Sequence, residues 1–202
     1  ALVFALCLEA VAFAELTLAV NLLSAVLAVS ATAFYVFVYT LWLKRTSSQN
    51  IVIGGAAGAV PVLVGWAAVT DSLGWAPIVL FAVIFIWTPP HFWALAIKYR
   101  EDYETAGVPM MPVVTTLRRT AAQILVYTVL LVGVTVLFAA VGHMGALYLA
   151  AAIVLGVVFL VYAVRLRQLG TPKAAMRLFQ YSITYLTLLF AAMAGDVLVR
   201  FH

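Results

Sequence analysis

Residues 121–141, AAQILVYTVLLVGVTVLFAAV, run without a single charged side chain. A helix needs about 20 predominantly apolar residues to cross a bilayer, and this stretch supplies them. It shows none of the polar–apolar alternation that a strand of a membrane β-barrel requires. The reading is a transmembrane α-helix, and the rest of the chain repeats it. Similar apolar runs near 2–16, 18–43, 51–69, 75–97, 145–164 and 178–199 bring the expected spans to seven, the first of them short for a full crossing. The composition agrees: 67% of the 202 residues are hydrophobic, 9% are charged, and the mean hydropathy is +1.17. A soluble domain carries roughly 45–50% apolar and about 25% charged residues. Seven spans with short connections leave no room for a separate soluble domain, and the composition argues against disorder or a nucleic-acid-binding module. The predicted fold class is an all-α, polytopic transmembrane helical bundle, one domain over 1–202.

Charge then orients the bundle. Lys44, Arg45, Lys98, Arg100, Arg118, Arg119, Arg165, Arg167, Lys173 and Arg177 all fall on one side if the spans alternate, and only Arg200 falls on the other. The positive-inside rule makes the basic side of this integral membrane protein cytoplasmic. The bland use of these cations is topology alone, and for Arg165, Arg167, Lys173 and Arg177 that reading is preferred. The single cysteine, Cys7, excludes an intrachain disulfide and leaves no Cys/His zinc pattern. Residue 1 is Ala and no basic n-region precedes the first apolar run, from which a missing N-terminus is expected.

Several residues disturb the apolar runs. Gly54, Gly55, Gly58 and Gly65, with a GxxxG at 54–58, point to close helix packing. Pro61 and the Pro89-Pro90 pair remove backbone donors and predict kinks, with the carbonyls of Phe85 and Ile86 freed. Irregular backbone at membrane depth survives only when protein covers it or it lines a polar cavity, so a cavity is expected beside the fourth span. Glu9 lies within the first span and Glu15 near its outer end; a carboxylate in a membrane helix is functional by default, and Glu9 reads as a contact to a neighbouring helix or a water-filled cavity. Asp196 is placed to pair with Arg200 at i+4. His143 and His202 read as solvated.

The longest polar connection runs from Lys98 to Thr120. Glu101, Asp102 and Glu104 offer hard oxygen ligands of the kind Mg²⁺ uses when one or two carboxylates and substrate phosphates hold it. Lys98 and Arg100 would neutralise phosphate. The same residues also fit a plain solvated face. At about 100° per residue, His91, Lys98 and Asp102 share one helical stripe, with His91 roughly 16 Å deeper than Asp102 if the helix is continuous. Trp87 flanks the stripe. An imidazole at that depth is functional by default, or else bonds a freed carbonyl. A second basic cluster, Tyr39 to Thr46 with Lys44 and Arg45, followed by Asn50, reaches the same side. Two basic groups about a carboxylate rim suit a metal-bridged diphosphate better than a cation pathway.

At these segments the sequence resembles the heme O synthases, the protoheme IX farnesyltransferases of the UbiA-type intramembrane prenyltransferases. Tyr39 to Arg45 with Thr46 and Asn50, then Gly54 to Pro61 and Gly65-Trp66-Ala67, look like that family's fourth and fifth helices. Trp87-Thr88-Pro89-Pro90-His91-Phe92-Trp93 and Lys98 to Pro112, ending in Ala106-Gly107-Val108-Pro109-Met110-Met111-Pro112, are similar to its most specific signature. The likeness is close over about residues 35–115.

The resemblance implies nine helices around a central cavity open to the cytoplasm, with two acidic motifs holding Mg²⁺ and a prenyl diphosphate. It implies transfer of a farnesyl group from farnesyl diphosphate to a vinyl group of heme b, giving heme O and diphosphate for terminal oxidases. Heme A synthase or oxidase assembly proteins would be the protein partners, within the lipid bilayer. Residue by residue, Asp102, Lys98 and His91 would be catalytic. Lys44, Arg45, Lys98, Arg100, Tyr39 and Asn50 would bind diphosphate, Asp102 and Glu101 the metal, and Trp87, His91 and Trp93 the heme or prenyl pocket. The chain departs from the pattern: the first, Asn/Asp-rich acidic motif and two spans are absent, and Ala106 stands where the wider superfamily often has a second Asp. A polypeptide of these residues alone is therefore expected to be inactive. The rivals are a related enzyme acting on a quinone or chlorophyll precursor, a transporter or channel, and a non-catalytic assembly factor.

Overall fold

The computed structural model describes residues 2–200, and among them every regular element is helical. In chain order these are α1 (Leu2–Ala19), α2 (Leu22–Ala33), a π-helical segment (Phe34–Leu43), α3 (Lys44–Thr46), α4 (Asn50–Thr70), α5 (Trp75–Lys98), α6 (Arg100–Thr105), α7 (Met111–Val114), α8 (Leu117–Val141), α9 (Ala146–Leu169) and α10 (Pro172–Arg200). The second span is one rod, Leu22–Thr46, made of α2, the π-helical segment and α3. Seven helices are thus long and apolar enough to cross a membrane, in the order the hydropathy predicts. His202 lies outside the described residues.

The ends differ from the sequence reading for a local reason. Helix α8 starts at Leu117 rather than near 121 because the Thr116 hydroxyl accepts the Arg119 N–H at 3.3 Å. Helix α10 likewise starts at Pro172, where Thr171 accepts the Ala174 N–H at 3.2 Å. Hydropathy finds the part of a helix that sits in lipid, whereas capping hydroxyls decide where the helix begins.

Helices α5, α8, α9 and α10 close into a four-helix bundle, and α4, α2 and α1 follow in a row from α5 outward. The main core fills the four-helix unit, with Val83, Trp93, Ile124, Leu131, Phe159, Leu178 and Tyr185 completely buried. Lipid is as apolar as leucine, so close packing and interhelical hydrogen bonds must hold such a bundle. Both are present. The Thr135 and Tyr185 hydroxyls meet at 2.8 Å between α8 and α10, and the Tyr148 hydroxyl donates to the Thr135 carbonyl at 3.1 Å.

Asp196 pairs with Arg200 at 3.9 Å, as the i+4 spacing predicts, but its stronger bonds are elsewhere. Its carboxylate accepts the Gly145 N–H at 2.6 Å and the Tyr148 N–H at 3.2 Å, capping α9 from a different helix. Arg200 also donates to the His143 carbonyl. Asp196→Ala strands two backbone donors, and we expect it to cost about 1–3 kcal/mol. Equilibrium unfolding in detergent, with Asp196→Asn as the milder variant, checks this.

The prolines do not interrupt their helices. Helix α4 runs through Pro61 and α5 through Pro89-Pro90. Near the pair, the Thr88 hydroxyl donates to Ile84 at 2.9 Å and the Trp87 indole donates to the Ser182 carbonyl of α10 at 2.9 Å, fixing the weakened turn. Such neighbours are what let proline persist in membrane helices. In the GxxxG pattern only the first position is crowded: a Cβ on Gly54 would lie 2.3 Å from the Tyr39 ring, whereas one on Gly58 would meet nothing within 4 Å. Gly55 packs closely on Thr88. A groove of about 470 Å³ does lie beside α5, lined by Pro61, Val62, Gly65, Trp66, Leu80 and Phe190. It is apolar, and it sits toward the Thr70 end rather than beside His91.

Candidate active site

Hydrogen bonds near the helix ends fix which connections share a side. The Asn50 amide donates to the Lys44 carbonyl at 3.3 Å at one end, and the Asn21 amide donates to the Ala67 carbonyl at 2.7 Å at the other. The ten cations and the segment from Glu101 to Glu104 therefore lie at one end of the bundle.

At that end Lys98 closes α5, and Tyr99, with φ −100° and ψ 30°, interrupts the helix before α6. The stripe predicted from His91 through Lys98 to Asp102 therefore stops at Lys98. Glu101 and Asp102 occupy the exposed first turn of α6, where a helix N-terminus favours negative charge. The chain then reverses: Gly107, at φ 66°, donates to the Glu104 carbonyl at 3.0 Å, and Val108 donates to Tyr103 at 3.0 Å. The left-handed turn suits glycine there. It returns Met110 to a small core with Ile51 and Ala96, against which Phe92, Tyr103 and Val113 pack. The methionine-rich signature thus anchors α6 on the bundle.

Lys44 and Arg45, on α3, are exposed, and no contact joins α3 to α6 among the described residues. The link between them is indirect. Tyr39 lies over Gly54, within Coulombic range of the Tyr103 phenol of α6. Asn50 is 1% exposed, and its side-chain oxygen has no hydrogen-bond partner among the described residues. Among the described residues the one ion pair is Asp196–Arg200, so the carboxylates of Glu101 and Asp102 do not neutralise Lys44, Arg45, Lys98 or Arg100. Both signs remain available to a ligand.

Deeper, His91 is held from α10. Its Nδ1 lies 2.7 Å from the Ser182 hydroxyl, which itself donates to the Phe179 carbonyl at 2.6 Å. With that proton committed, the hydroxyl oxygen must accept from His91, which places the imidazole proton on Nδ1 and leaves the Nε2 lone pair free. The ring stacks on Trp87 at 4.2 Å and leans on Phe179 at 4.6 Å. The freed proline carbonyl is not its partner. Trp93, about 200° round the helix from His91, is completely buried and meets Tyr127 of α8 edge-on. Ser182 escaped the sequence reading. Its only signal was a hydroxyl inside the last apolar run.

Among the described residues no three His, Cys, Asp or Glu side chains converge on a metal position. Glu101 and Asp102 nonetheless offer hard oxygens, and these fit a divalent cation that takes its remaining ligands from water and phosphate.

The family model of the UbiA prenyltransferase family matches residues 1–193. The chain belongs to the UbiA prenyltransferase family. Among curated UbiA relatives, the protoheme IX farnesyltransferase of Gloeobacter violaceus is 54% identical over 202 residues, all of this chain and 66% of its own length. The protein of that name from Parafrankia sp. is 54% identical, covering 98% of this chain and 64% of its own length. That of Synechocystis sp. is 53% identical, covering 100% and 65%. The chain spans about two thirds of the length of these relatives. No solved structure matches. UbiA membership makes this chain kin to prenyl-transferring enzymes and removes the channel and the assembly factor as leading readings.

Proposed function

We propose that the protein, at the length its relatives have, transfers a farnesyl group from farnesyl diphosphate to a vinyl group of heme b in the bacterial plasma membrane, with the basic end cytoplasmic. The observation that carries this reading is the rim at the end of α5. Exposed Glu101 and Asp102 stand on α6 beside Lys98 and Arg100, with no ion pair among them. The names of the relatives supply the acceptor, heme b, and the donor.

Glu101 and Asp102 would hold Mg²⁺, whose charge offsets that developing on the leaving diphosphate. Lys98, Arg100, Lys44 and Arg45 stabilise the same oxygens and Tyr39 orients them, while Asn50, buried with its amide donating to the Lys44 carbonyl, steadies α3 instead of touching the diphosphate. The allylic C–O bond breaks with its electron pair leaving on diphosphate. The vinyl π pair then forms the new C–C bond, and water captures the remaining cation beside the ring, giving a hydroxyl and a proton. His91, with Nδ1–H held by Ser182, presents Nε2 to receive that proton. Trp87 flanks the imidazole, and the apolar groove at Pro61 and Phe190 suits an isoprenoid chain. Trp93 packs α5 against α8.

The test is conversion of heme b by the purified protein with farnesyl diphosphate and Mg²⁺, followed by chromatography of the extracted hemes. Heme O is expected, and EDTA is expected to abolish it. Prenylation of a quinone precursor with heme b untouched would move the assignment to the rival branch. The 202 residues alone are expected to give no product.

A further inference from the structure

We propose that the cleft between the end of α9 and the start of α10 is a binding site for the phosphate of an anionic phospholipid headgroup, separate from the rim on α6. Helix α9 contributes Tyr162, Arg165 and Leu169, and α10 contributes Lys173, Ala174 and Arg177. These spacings put each set on one helix face. The helices are joined by the tight turn at Gly170, whose φ of 56° lets its N–H close on the Leu166 carbonyl at 2.9 Å. The two faces therefore oppose each other like rungs. Tyr162, held by stacking on Tyr181 at 5.0 Å, lines the cleft, and the three cations form the mouth. About 80 Å³ of space lies between them, room for a group the size of several water molecules.

Among the described residues no carboxylate forms an ion pair with Arg165, Lys173 or Arg177. No Asp or Glu occurs between Glu104 and Asp196, and Asp196 is engaged at the opposite end of the bundle. Topology alone needs cations on this side of the membrane, but it does not need three of them around one cavity. An anion from outside the chain completes the arrangement, and basic pockets between helices at this depth suit phosphate headgroups. Below the mouth, the lipid-facing surface of α9 continues through exposed Val164, Val161 and Val158, an apolar wall for acyl chains. That wall favours a lipid over a free anion.

The test is native mass spectrometry of the purified protein titrated with phosphatidylglycerol or phosphatidylcholine in detergent. Each cation near an anionic surface contributes about five-fold to binding. Arg165→Gln with Arg177→Gln is expected to lower phosphatidylglycerol retention about 25-fold and leave phosphatidylcholine unchanged. Arg165→Lys with Arg177→Lys is expected to keep most of it, which guards against a folding artefact. Two results would overturn the proposal. One is equal loss in Arg118→Gln with Arg119→Gln, where charge is removed at the same end but outside the cleft. The other is displacement of the lipid by millimolar inorganic phosphate, which would assign the cleft to a soluble anion.

Discussion

Asp102→Ala is expected to lower the proposed farnesyl transfer to heme b by roughly 10³-fold, the scale on which a single electrostatic partner of a developing oxyanion acts. The effect is expected in chemistry rather than in folding. Asp102 is exposed, and its side chain makes no hydrogen bond or ion pair with the described residues, so the variant should insert and unfold like the parent. Only its backbone carbonyl has a structural duty, accepting the Ala106 N–H at 3.0 Å, and alanine preserves that. Asp102→Glu retains a carboxylate one methylene further out and is expected to recover part of the rate as Mg²⁺ is raised. Near-parental turnover by Asp102→Ala, measured on extracted hemes, would remove the metal role from α6.

His91→Ala is expected to lower kcat by about 10²-fold, the lower range for loss of a general base, with KM for farnesyl diphosphate changed only a few-fold. Ser182 is a positioning residue in this scheme. Ser182→Ala frees the imidazole to place its proton on either nitrogen, and about a ten-fold loss in kcat is expected, because only part of the population then presents an unprotonated Nε2. Ser182→Thr keeps the hydroxyl and is expected to restore most of the rate. If the ring merely packs between Trp87 and Phe179, both His91→Ala and Ser182→Ala would reduce thermal stability and leave kcat near the parental value.

The parts of this molecule that follow from summed hydropathy were legible in the sequence. Seven spans, the gathering of ten cations at one end and the Asp196–Arg200 pair need only composition, alternation and helical spacing. What escaped depends on single bonds or on contacts between distant segments. Thr116 and Thr171 extend α8 and α10 beyond their apolar runs because a cap is indifferent to lipid. The brace on the Pro89-Pro90 turn escaped because Trp87 supplies it through a carbonyl of α10. Tyr99 ended the stripe that periodicity carried on to Asp102, since a period says where residues would point in a helix and not whether the helix persists. Ser182 lies 91 residues from His91, and no local pattern joins them. Within the site, the chemical types of Lys98, Arg100, Glu101 and Asp102 could be read directly. The state of His91 could not, because it is set by a hydroxyl on another helix.

The π-helical segment from Phe34 to Leu43 sets the angle at which α3 emerges. Its i→i+5 bonding turns the chain through less angle per residue than ordinary winding does, as the Lys44 N–H bonding back to the Tyr39 carbonyl illustrates. Over ten residues that deficit accumulates, so the segment works as an angular offset between the lipid-facing part of the rod and its cationic tip. Rewound with i→i+4 bonds, the same residues would carry Lys44 and Arg45 around the axis and lift Tyr39 from the notch that Gly54 leaves for it. The bearing of two positive charges is thus encoded in how loosely an uncharged stretch is coiled.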